Sequence, residues 1–98
     1  MRKITKITEL AITAFNNGDN FIRNNTTVYH TNGITRLSLY GNAIAKREDG
    51  ILSISDGGWK SKTTKERLNG LHGVDICQKN FIWYLNGKEW DGGWVVID

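Results

Sequence analysis

The chain has no proline, a single cysteine (Cys77), and no apolar run approaching the ~20 residues of a membrane-spanning helix. Each absence excludes something. Without proline, the turns fall to the eleven glycines, which supply left-handed backbone where a tight turn needs it. One cysteine excludes an intramolecular disulfide. With no secretory segment in view, the cytoplasm is the expected compartment, and no membrane is expected as a partner. The sequons in Asn24-Asn25-Thr26-Thr27 are silent without secretion. Apolar residues make up 39% of the 98, somewhat below the usual globular range, so the core must be compact and partly aromatic. Four Trp, three Tyr and three Phe supply that bulk.

Charge is uneven. Lys60, Lys62, Lys65 and Arg67 against Glu66 carry the whole formal net charge of +3, and the remaining charges cancel. The basic start, Met1-Arg2-Lys3, precedes an amphipathic mix and not an unbroken apolar segment.

Periodicity gives a single small α+β domain over residues 1–98. Ile4, Ile7, Ala11, Ala14 and Phe15 recur at helical spacing, with Thr5 as a cap and Asn17-Gly18 as a stop. This helix is expected to lie on a sheet. From Thr26 the period becomes two. Thr26–Thr31 and Ile34–Tyr40 flank Asn32-Gly33, a type I′ hairpin signal. Ala43–Lys46 and Ile51–Ser55 extend an antiparallel meander around Arg47–Gly50. Thr63-x-x-Glu66 matches a capping box for a short helix near 64–69. Val74–Gln78, Phe81–Leu85 and a last short run at Trp94–Ile97 are strand-like. The expected order is α-β-β-β-β-α-β-β-β. Asp-Gly-Gly-Trp occurs twice, at 56–59 and 91–94, as shared turn chemistry without a surrounding repeat.

The basic segment has the chemistry of an anion contact, with lysines and threonine hydroxyls at a helix start. Against this, the capping box would occupy Thr63 and Glu66, and Glu66 is itself negative. An ordinary capped, solvated helix is the competing reading. Trp59 and Trp90 sit beside glycine turns and are expected at the surface. Trp94, Val96 and part of the 81–85 run are expected in the core. Exposed rings beside lysines suit nucleobase stacking or a protein interface. His30 and His72 lie in no metal spacing, and Cys77 is expected as a buried thiol. No phosphate-binding Gly-x-x-x-x-Gly-Lys-[Ser/Thr] loop is present. No catalytic, cofactor or metal residue is therefore assigned, and the expectation is a protein that is not an enzyme.

Leu39–Ala45, Gly58-Trp59, Thr63–Asn69 and Gln78–Tyr84 together resemble a family of small uncharacterised proteins encoded by bacteriophages and prophages. The likeness covers about residues 34 to 94. Its most specific part is the Thr-Thr-Lys-x-Arg-Leu-Asn block after Gly-Trp. The resemblance brings a genomic setting and no functional residue. In that setting the expected role is an accessory protein binding a host protein or protein–nucleic acid complex, as an anti-CRISPR or other anti-defence factor. Trp59, Lys60, Lys62, Lys65, Arg67 and Trp90 would form its contact surface. Direct nucleic-acid binding and a structural phage component are the alternatives. Homodimerisation through sheet edges is compatible with so small a sheet.

Overall fold

The computed structural model describes residues 4–97, so the basic Met1-Arg2-Lys3 lies outside the described residues. Helix α1 (Lys6–Asn17) is followed by strands β1 (Phe21–Arg23), β2 (Thr26–Thr31), β3 (Ile34–Leu39), β4 (Asn42–Glu48) and β5 (Ile51–Ile54). Helix α2 (Lys62–Leu68) then precedes β6 (Ile76–Lys79), β7 (Ile82–Leu85), β8 (Lys88–Glu89) and β9 (Val95–Ile97). The strands form a six-stranded sheet, β1-β2-β3-β4-β5-β9, and a three-stranded sheet, β6-β7-β8. Every pairing is antiparallel. This is the expected α+β class, with two strands added and a second sheet set apart. The short β1 and the two-residue β8 carry no alternating signal, and β9, the expected last strand, pairs with β5 in the large sheet.

Thr5 caps α1 by accepting from the Thr8 amide at 3.3 Å, and Gly18 ends it in the left-handed region. The buried face is Thr8, Ala11, Ile12, Ala14 and Phe15; Ile4 and Ile7 are only half-buried. Thr8 takes a core position because its hydroxyl has internal partners, described below.

Two-residue turns with both positions at positive φ set the hairpin registers. Asn32-Gly33 is the expected case, at φ 54° and 80°. Asn80-Phe81 is the unexpected one. Phe81 occupies a position suited to glycine, at φ 67°, and its ring is 92% exposed. The turn is therefore one residue later than Lys79-Asn80, and Phe81 is not part of the strand. Of the two possible sets in this run, the core takes Trp83 and Leu85.

A bulge in β4 changes which residues face inward. Leu37 pairs with Ala45 but Ser38 pairs with Ala43, so Ile44 is the extra residue. Ile44 and Ala45 are consequently both buried. The core joins α1, the inner face of the large sheet, Leu68 of α2, Leu71, Val74, Ile76, Trp83, Leu85 and Trp90. Trp94 and Val96 are corrections to the expected core. They lie on or beside the edge strand β9 and are about half-exposed, while Val95 and Ile97 pack inward.

Candidate functional site: an aromatic groove beside the second helix

The start of α2 differs from the expected capping box. The N-cap is Ser61, whose hydroxyl accepts from the Thr64 amide at 3.0 Å, and the Thr64 hydroxyl lies 2.9 Å from that of Ser61. The helix begins two residues earlier than Thr64, so Thr63 is inside its first turn. Glu66 is left free of any local capping role.

Glu66 instead serves the other helix. Its carboxylate accepts from the Thr5 amide at 2.9 Å and from the Thr8 hydroxyl at 2.5 Å. Arg67 completes the cluster. Its guanidinium donates to Thr8 at 2.7 Å and, through Nε, to Thr26 of β2 at 3.1 Å, and it pairs with Glu66. Arg67 is 5% exposed, which removes it from the expected contact surface. A buried guanidinium needs polar partners, and the hydroxyls of Thr5, Thr8 and Thr26 with the Glu66 carboxylate supply them to Nε and Nη1. Partial burial pushes the Glu66 carboxyl up, but Thr8, the Thr5 amide and Arg67 together outweigh it and hold the carboxyl below its ordinary range.

Leu68 and Asn69 of the Thr-Thr-Lys-x-Arg-Leu-Asn block are structural as well. Leu68 is buried. Asn69 acts as a substitute strand partner for β6: its amide nitrogen donates to the Ile76 carbonyl at 3.0 Å, and its oxygen accepts from the Ile76 amide at 2.7 Å. Of the basic residues, Lys60 is held by Asp56 at 3.4 Å and by the Asp91 carbonyl at 2.5 Å. Lys65 lies 3.5 Å from the Gln78 side chain, and Lys62 is exposed. The concentrated charge of the sequence is thus divided among internal ties, leaving Lys62 and Lys65 as outward-facing cations.

The two Asp-Gly-Gly-Trp segments meet. In each, the aspartate side chain accepts from an amide two residues on: Asp56 from Gly58 at 2.7 Å, Asp91 from Gly93 at 2.8 Å. The Asp56 amide donates to the Gly92 carbonyl at 2.8 Å, joining the two turns. The approach leaves no room for a side chain at residue 92, where a Cβ would overlap the Asp56 carboxylate.

The two tryptophans that follow the first turn and precede the second behave oppositely. Trp59 is 68% exposed, as expected. Trp90 is 8% exposed, a correction: its indole N–H donates to the Gly93 carbonyl at 2.9 Å, and its ring packs on Trp83 with centroids 6.1 Å apart. The second turn folds its own backbone over the preceding tryptophan and satisfies the indole nitrogen, which allows burial.

Trp59 stacks on Tyr40, the exposed first residue of the β3–β4 turn, with centroids 6.5 Å apart and planes at 28°. Together they wall a pocket of about 130 Å³, whose polar lining is Asn42, Asp56, Ser61, Thr63 and Thr64. Asn42, Asp56 and Gly57 also line an open depression that runs on to Gly92, Gly93 and Trp94. Tyr40 and Asn42 were not expected here. Their signal is only a Tyr-Gly turn after an alternating strand, and the register that brings them beside Trp59 is not local.

The remaining chemical candidates are dispersed. His30 Nδ1 lies 2.7 Å from the Thr35 hydroxyl on the neighbouring strand. His72 is exposed, and Cys77 is exposed too, which corrects the buried-thiol expectation. Among the described residues no group of three or more His, Cys, Asp or Glu side chains is placed to hold a metal ion, and no helix is long and apolar enough to cross a membrane.

Fold and site together describe a small α+β protein with an exposed aromatic groove and a polar network tying its helices. Residues 1–96 match the model of the Kyanoviridae Gp96 proteins, and the chain belongs to that phage-encoded family. No curated protein and no solved structure matches it.

Proposed function

We propose that this protein is a non-enzymatic phage accessory factor that docks on a host macromolecule through the Tyr40–Trp59 groove. The observation that carries the reading is the exposed, stacked Tyr40–Trp59 pair beside a pocket. Large rings held rigidly at the surface give contact area at little entropic cost, and tryptophan and tyrosine are enriched where binding energy concentrates. Lys62 and Lys65 on the shoulder favour an acidic partner surface.

The groove's polar lining argues for binding over catalysis. Ser61 and Thr64 are committed to the helix cap, and Asp56 to its turn and to Lys60. No nucleophile and base are paired there. The partner class that fits is a host protein or protein–nucleic acid complex, and the phage setting directs the proposal to inhibition of a nucleic-acid-handling defence complex. Phosphate binding at α2 itself is disfavoured, because Arg67 is internal and Lys60 is neutralised by Asp56.

The test is capture from host lysate on the immobilised protein, with and without nuclease. A nuclease-resistant protein partner, lost with Trp59→Ala, supports the reading. Partners that survive Trp59→Ala and Tyr40→Ala together, or bare nucleic acid with no protein captured, contradict it.

A further inference from the structure

The six-stranded sheet has a second face that nothing among the described residues covers. Helix α1 packs on the inner face, where Phe15 and Val28 are buried. Helix α2 and the loop after it lie on that same side: Arg67 bonds Thr26, Gly70 lies against Thr8 and Ile12, and Gly73 lies against Ile97. Outward-facing residues therefore remain bare. A continuous cross-strand row runs Tyr29, Arg36, Lys46, Ser53, Val96 from β2 to β9. At ~4.8 Å per strand, that row is roughly 19 Å long. Ile22, Ile51 and Trp94 flank it, and these three, Tyr29 and Val96 are all large apolar side chains left exposed. Lys46 Nζ sits 5.1 Å from the Trp94 ring centroid.

We infer that this open face binds single-stranded nucleic acid. The inference does not rest on the Tyr40–Trp59 groove, although Trp94 also lies at the far end of the depression that continues from it. Charge selects the occupant. Arg36 and Lys46 are direct cross-strand neighbours at the centre of the row, with rings to either side. Glu48 shares this face, beyond the row and beside Ile51, and a second copy centred on the row would still set Arg36 and Lys46 against like charges, which is destabilising. A single strand supplies both complements at once: phosphates for Arg36 and Lys46, and base faces for Tyr29 and Trp94. A duplex keeps its base faces stacked within the helix and offers only the phosphates.

The experiment is fluorescence anisotropy of the intact protein with a labelled thymidine oligonucleotide of about 12 nucleotides, within the usual site size, and its duplex, at two salt concentrations. Single-strand binding at least tenfold tighter than duplex binding is expected. Tyr29→Ala and Trp94→Ala should each weaken it roughly tenfold, the scale of one lost stacked base, while Tyr29→Phe retains it. Neutralising two phosphates gives a slope of about −1.4 in log affinity against log salt, which Arg36→Ala with Lys46→Ala should abolish. Lys88→Ala, on the other sheet, should leave affinity unchanged. Tyr29, Arg36, Lys88 and Trp94 are exposed and Lys46 is half-buried, and circular dichroism is expected to show native folding for each variant. No single-strand binding at low salt, equal affinity for duplex, or equal loss with Lys88→Ala would each overturn the inference. So would a stable dimer in sedimentation that Tyr29→Ala or Trp94→Ala disperses.

Discussion

Glu66, on the second helix, accepts a hydrogen bond from the Thr5 amide at the start of the first, 61 residues earlier in the chain. One carboxylate thereby fills an orphan donor at the α1 N-terminus and, through Arg67, ties both helices to β2. The acidic residue that counts against an anion site in the sequence is itself the anion, already in place.

Glu66→Gln should therefore lower stability in a pH-dependent way. The folded carboxyl is held below its ordinary range. Its contribution is fully present above the unfolded value of about 4.3 and is lost as pH falls through the lower folded value. Chemical denaturation at neutral pH should show a deficit of about 1–3 kcal/mol for the variant. The gap to the parent protein should narrow as pH drops below about 4.3; a gap that stays constant would contradict the charge assignment.

Arg67→Ala should cost about 3–5 kcal/mol, since it removes the cation paired with a half-buried carboxylate and the donor that ties α2 to Thr26. Arg67→Lys should recover only part of this. A single ammonium lacks the fork that reaches Thr8 and Thr26 together. Full recovery with lysine in urea melts would show that charge alone matters there.

Gly92→Ala should destabilise by about 2–4 kcal/mol from a left-handed backbone and a contact with Asp56. Adding Asp56→Ala removes the contact and leaves the backbone strain, so a double-mutant cycle should show favourable coupling. Strict additivity would mean that the two Asp-Gly-Gly turns do not meet as described.

The tryptophans separate cleanly. Trp90→Ala should cost about 3–5 kcal/mol by emptying a core site. Trp59→Ala should change stability by no more than about 0.5 kcal/mol, as expected of an exposed side chain. Paired thermal melts check both, and a large loss with Trp59→Ala would make it a core residue.

What the sequence revealed was local. The cap at Thr5, the stop at Gly18 and the Asn32-Gly33 hairpin all depend on neighbours within a few residues, and all three stand. Partners distant in sequence were not legible. Glu66 matched a local capping box, but its carboxylate is recruited by Thr5 and Thr8 across the fold. Trp59 and Trp90 have nearly the same glycine-rich surroundings, and only the packing of Trp90 on Trp83 and the fold of the second turn decide which is buried. Tyr40 and Asn42 join the groove through the β3–β4 register and the Ile44 bulge, neither of which a periodicity reveals. Cys77, Trp94 and Val96 were expected inside because strands usually bury apolar side chains; each instead lies on the exposed face of a short strand or just before one.

The central claim is that Trp59 and Tyr40 form a docking surface while the Arg67 network only supports the fold. The most direct measurement is capture of a nuclease-resistant host partner by the parent protein and by the Tyr40→Ala, Trp59→Ala double variant, with melting temperatures taken on the same samples. The account predicts unchanged melting and lost capture for the double variant. Retained capture by a folded double variant would contradict it.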